Sequence, residues 1–191
     1  AFEGAVEANP FAFRALLGLG QVLLVERRFT DALARFESAS GALEEAPAPQ
    51  EGEAPNEVRV GLGQVEALLN LEQRQRASQL SAELAQRFPD EPSVALWNGR
   101  AFEAVEAGTQ AMAEYQRSVT LAPGAFDGYL AQAMVHFGAG DLDAAGAVLA
   151  EARSKVRMSA KVRRQLGELE LRRGNLNAAE TELREAVRLN D

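Results

Sequence analysis

The stretch "GAGDLDAAGAVLAEA", Gly138–Ala152, is echoed by "RRGNLNAAETELREA", Arg172–Ala186. Aligned, every matched position lies 34 residues from its counterpart: Gly140 and Gly174, Ala145 and Ala179, Leu149 and Leu183, Ala152 and Ala186. The same step carries Ala145, Leu149 and Ala152 back to Ala111, Tyr115 and Ser118, and Ala111 back to Ala77. Pro89 and Pro123 keep this spacing, as do Gly99, Ala133 and Gly167. A fixed period of this size is the mark of a repeat architecture, in which each unit buries its apolar face only on its neighbours.

Within each unit apolar residues recur at three- and four-residue spacing, without strand-like alternation. "FAFRALLGLGQVLLVERRFTDALARFESAS" (residues 11–40) reads as one helix through Val25, a turn around Arg27–Thr30, and a second helix. Asn9-Pro10, Asp90-Glu91-Pro92 and Ser159 supply capping groups or a first-turn proline at helix starts. Gly140 and Gly174 are placed to end the first helix of their units in a left-handed conformation.

These residues resemble the tetratricopeptide repeat, a 34-residue helix–turn–helix unit. The family's small residue in the first helix is matched by Gly20, Gly63, Gly99, Ala133 and Gly167. Its small residue early in the second helix is matched by Ala32, Ala77, Ala111, Ala145 and Ala179. The large apolar slot four residues later holds Phe36, Tyr115, Leu149 and Leu183, with Ser81 as the departure and Leu80 beside it as a substitute. The resemblance implies an all-α, right-handed α-solenoid. One array over 1–191 is expected, with repeats at 11–45, 56–91, 92–123, 124–157 and 158–191 and an acidic, proline-rich loop at 46–55. Phe2, Ala5 and Pro10 fit the tail of an upstream repeat at 1–10, so the chain reads as a section of a longer protein.

The pentapeptide "GLGQV" occurs at Gly18–Val22 and again at Gly61–Val65. A dinucleotide fingerprint needs a preceding strand and a third glycine. Leu23 and Glu66 stand where that glycine would be. Both copies fall in one slot of successive repeats, so the glycines are expected to serve helix packing.

Composition narrows the function. The formal charge of −8 disfavours nucleic acid as a partner. The longest apolar run, Ala15–Val25, is too short to insert directly into a membrane. The chain has no cysteine and one histidine, His136, which reads as a packed structural residue rather than a metal ligand. No cofactor or catalytic set is expected. Asp141 and Asp143 lack the rest of a calcium loop. Abundant alanine, glycine and arginine point to a GC-rich bacterial source.

The resemblance also implies a concave groove lined by first helices. In the first repeats the expected lining is Leu17, Gln21, Leu24, Val60, Gln64 and Leu68. Leu96, Arg100 and Glu103 follow, then Leu130, Met134, Phe137, Arg164 and Glu168. Apolar positions alternate there with long polar ones, which suits a peptide or an amphipathic helix with apolar anchors. Gln21, Gln64 and Arg100 stand where some relatives carry the Asn of a carboxylate clamp, so that mode is not expected. Arg153, Arg157, Lys161 and Arg163 form a second candidate, a basic face for an acidic partner. The expected function is a non-catalytic scaffold binding a protein or peptide, with self-association through the N-terminal end. The alternative is an accessory or regulatory repeat domain of a larger enzyme or of a bacterial secretion or assembly machine.

Overall fold

A computed structural model describes residues 10–156 and 159–190. The described residues form ten α-helices and no strand. These are α1 (Pro10–Val25), α2 (Phe29–Gly41), α3 (Asn56–Asn70), α4 (Arg74–Arg87) and α5 (Pro92–Ala104). They continue with α6 (Gly108–Leu121), α7 (Phe126–Gly138), α8 (Leu142–Lys155), α9 (Ala160–Arg172) and α10 (Leu176–Asn190). A single 3-10 turn follows α2 at Leu43–Glu45. The chain forms two compact units, Ala1–Gly108 and Thr109–Asp191. The upstream half-repeat expected at Ala1–Asn9 lies outside the described residues.

The turn that ends the first helix of each pair has one geometry throughout. Arg27, Glu72, Glu106, Gly140 and Gly174 all have left-handed backbones, with φ between 58° and 79°. The next amide in each case donates back across the turn: Arg28 N–H to Leu23 O, Gln73 to Leu68, Ala107 to Phe102, Asp141 to His136 and Asn175 to Glu170, at 2.8–3.0 Å. This satisfies carbonyls that a helix end would otherwise leave without partners. Only two of the five positions are glycine, so the other three accept the strain of a side chain in this region.

In the first unit, α2 packs on both α1 and α3, and α4 on both α3 and α5. Phe36 of α2 is fully buried. A Cβ built on Gly20 would lie 2.7 Å from the Phe36 ring and one on Gly63 would lie 2.5 Å from it. The paired glycines of the two GLGQV copies are therefore the space into which that ring fits. Burying it contributes about 1.5–3 kcal/mol. Ser81 fills the aromatic slot of the second repeat itself: it is buried, and its hydroxyl donates to Asn98 Oδ1 at 2.9 Å. Leu80 packs only at the margin of the core. The acidic loop is tied down at its ends, with Asn56 Nδ2 donating to Pro47 O at 2.7 Å and Glu53 accepting from Gln50 N at 3.0 Å and Arg59 at 3.1 Å.

In the second unit Tyr129, Leu149, Val162 and Leu169 are the centre of the core. Gly167 admits Leu183, whose Cγ would be 2.6 Å from a Cβ there. Asp141 caps α8 by accepting from Ala144 N at 3.0 Å, and Ser159 caps α9 by accepting from Val162 N at 3.3 Å.

Candidate peptide-binding surface

In the first unit the candidate positions come from α1, α3 and α5. Leu17, Val60 and Leu68 are 1–3% exposed and belong to the helix-packing cores. They are corrected from groove to core: the apolar stripe of a first helix is wide enough that its edge turns inward onto α2 and α4. Leu24 is half-buried. Gln21 is exposed, and Gln64 is half-buried, with its Nε2 donating to Ser40 Oγ at 3.0 Å. Leu96 is partly buried, while Arg100 and Glu103 are exposed.

Arg100 has the most developed surroundings of these. Its guanidinium lies over the Trp97 ring, 4.4 Å from the centroid. Stacking on an aromatic face holds the planar fork in one orientation while its edge remains open to solvent. Glu66, half-buried on α3, has its pKa raised by burial, and the charge of Arg100 partly offsets that rise. A surface cavity of about 630 Å³ adjoins this stack, walled by Leu69, Arg74, Arg100, Glu103 and Glu106. Trp97 was not among the residues expected in the groove. Its spacing of three from Arg100 on one helix is the signal that could have found it.

In the second unit Met134 is half-exposed and Leu130 partly buried. Phe137 is 5% exposed and is likewise corrected from groove to core, where it packs with Tyr129 and Leu149. Arg172 covers the edge of that core, its guanidinium 4.7 Å from the Phe137 centroid. Arg172 also holds Glu168 at 2.8 Å, and Arg164 is exposed.

The basic face is largely engaged within the molecule. Arg153 and Arg163 converge on one carboxylate, Glu182, at 3.2 and 2.7 Å, joining α8, α9 and α10. Lys161 rests its ammonium over Phe126, 4.4 Å from the centroid. Arg157 lies outside the described residues. His136 is half-buried, and no group of three metal-ligating side chains occurs among the described residues. No described helix is long and apolar enough to cross a membrane.

Comparison with known proteins bears on the whole arrangement. A family model described as "Tetratricopeptide repeat" matches residues 1–48 and 130–191. No curated protein matches the chain. Among solved structures, the chain is similar to a thermophilic TPR protein of Thermus thermophilus, with 22% identity, a TM-score of 0.72, and 93% of this chain and 91% of that one covered. MamA of Desulfovibrio magneticus is similar at 16% identity and a TM-score of 0.60, covering 94% and 95%. A chain of the APC/C hetero-tetramer Cut9-Hcn1 is similar at 17% identity and a TM-score of 0.63, covering 91% of this chain and 38% of that one.

Proposed function

The chain belongs to the tetratricopeptide repeat family, and from that membership we propose that it is a protein–protein interaction scaffold. It holds a peptide or helix of a partner against its first helices and carries out no catalysis of its own. The observation that carries this reading is the Arg100–Trp97 stack at the wall of an open cavity. An oriented guanidinium can accept a carboxylate through two parallel hydrogen bonds. Gln21, Leu24, Leu96 and Glu103 supply further polar and apolar contacts on the same set of helices, and Leu130 and Met134 do so in the second unit.

Binding energy in such interfaces concentrates in a few anchors. Arg100→Ala and Leu96→Ala are each expected to weaken the partner by more than about 1 kcal/mol. Arg35→Ala, exposed on the second helix α2, should change little. Titration calorimetry on a partner isolated by pull-down reads this, with circular dichroism to check helicity. Wild-type affinity in both groove variants would remove the first helices as the site.

Self-association belongs to the same proposal. The slots of Ala15 and Val22 on α1 are filled by Val58 and Val65 in α3, Val94 and Ala101 in α5, and Val162 and Leu169 in α9, and all six are buried. On α1 they are open: Ala15 is exposed, and Leu19 and Val22 are 44% and 52% exposed. A second copy that brings the same face buries both rows at once, as two-fold symmetry requires.

A further inference from the structure

Fourteen residues, 42–55, join α2 to α3, where four join α4 to α5 and α6 to α7. The long connection does not stand away from the helices. Leu43 and Ala46 pack against the core cluster of Phe13, Leu17 and Phe36. Glu53 N–H donates to Gln50 O at 3.0 Å, closing a turn in which Gly52 is left-handed. The Glu53 carboxylate then accepts from Arg59 Nη1 at 3.1 Å, and Asn56 Nδ2 donates to Pro47 O at 2.7 Å. Arg59, Leu62, Glu66 and Leu69 recur at three- and four-residue spacing, so they form one stripe along α3. Glu66 on that stripe feels the charge of Arg100, and Leu69 walls the cavity beside Arg100. Arg59 therefore lies on the face of α3 that looks toward the Arg100 site, two turns or about 10.5 Å along the axis from Glu66. The inserted loop places a carboxylate on that face.

We propose that the loop 46–55 is a built-in occupant of this face, held by Glu53 on Arg59, and that the partner's segment displaces it with a carboxylate of its own. The inference rests on the reading of the first helices as the partner surface, and deepens it. The partner carries two carboxylates, one for Arg100 and one for Arg59, with apolar residues between them for Leu62 and Leu69. The loop's hold is one that a ligand can exceed: the Arg59 and Glu53 side chains are 27% and 36% exposed, and an ion pair this open is weak and screened by salt. Pro47, Pro49 and Pro55 stiffen the loop, so little freedom is lost when it lies against α3, and it returns when the ligand leaves. A segment with lysine in place of the second carboxylate meets Arg59 with like charge and leaves Glu53 where it is.

The test uses the whole chain and a labelled peptide with aspartates about seven residues apart, two helical turns, and leucines between them. Its twin has asparagines in place of the aspartates. Without peptide, a glutamate-specific protease reports on the loop: Glu53→Gln and Arg59→Gln should each speed cleavage after Glu51 by at least about threefold. With the aspartate peptide the wild-type chain should show the same acceleration, and with the twin none. Fluorescence anisotropy should show the aspartate peptide bound about fivefold more tightly by Glu53→Gln than by wild type, because a tethered competitor is gone. Arg59→Gln should bind it about fivefold more weakly. Equal affinity in wild type and Glu53→Gln, cleavage unchanged in both loop variants, or no binding of the aspartate peptide would each overturn the proposal. The two readings separate at Arg100→Ala. If that variant binds like wild type while Glu53→Gln still tightens the peptide, the Arg100 reading fails and displacement of the loop stands. If Arg100→Ala weakens the peptide and Glu53→Gln does nothing, the reverse holds.

Discussion

Two glycines from the two copies of GLGQV have opposite surroundings. A Cβ on Gly63 would press on the buried Phe36 ring at 2.5 Å, whereas a Cβ on Gly18 would meet nothing within 4 Å. Gly63→Ala is therefore expected to destabilise by about 1–3 kcal/mol, because the ring is rigid and enclosed. Gly18→Ala, on the open side of α1, should stabilise by about 0.5–1 kcal/mol, because alanine restricts the unfolded chain more than glycine. Denaturant melts of the two variants read both signs, and a loss at both positions would mean that α1 is covered. The repeat period marked the Gly63 slot in the sequence. It could not distinguish Gly18 from Gly61, whose Cβ would meet Leu84 at 2.8 Å, since that depends on which side chain faces each helix.

The helices are joined by turns that local propensity alone does not foretell. Glycine announced the left-handed residue at Gly140 and Gly174, but Arg27, Glu72 and Glu106 adopt it as well. All three are ordinary helix formers, and what imposes the conformation is the return hydrogen bond from the following amide and the packing of the second helix. Arg27→Gly, Glu72→Gly and Glu106→Gly should each stabilise by roughly 1 kcal/mol by relieving that strain, net of the added freedom of glycine. Thermal melts are the check, and a lower midpoint in all three would show that the side chains contribute more than the backbone strain costs. The Glu182 clamp is a second feature of this scale. Its partners lie 19 and 29 residues away, separations that no helical periodicity pairs.

For the whole molecule the exposed row on α1 has a concentration-dependent consequence. Ala15, Leu19 and Val22 present an apolar strip on α1, whereas the residues in the slots of Ala15 and Val22 are buried in α3, α5 and α9. Mass measured by light scattering should rise with concentration, and Leu19→Glu with Val22→Glu should hold the chain at one mass, since a carboxylate cannot be buried there unpaired. An unchanged mass for both proteins across the range would show that the strip does not associate.

The sequence by itself determined the period, the helix pairs and the small residues at helix crossings. These rest on spacing along the chain: a side chain that recurs on one face of a helix, at an interval that brings successive helices into the same contact, is visible without coordinates. Tertiary structure alone decided which edge of each apolar stripe turns inward. Leu17, Val60, Leu68 and Phe137 read as groove residues and are core, because their burial depends on side chains from other helices. It also decided which cations remain available, since Arg153 and Arg163 share Glu182 while Lys161 and Arg164 do not. Charge is counted along a sequence but neutralised across space, and the pairing is set by how α8, α9 and α10 approach one another.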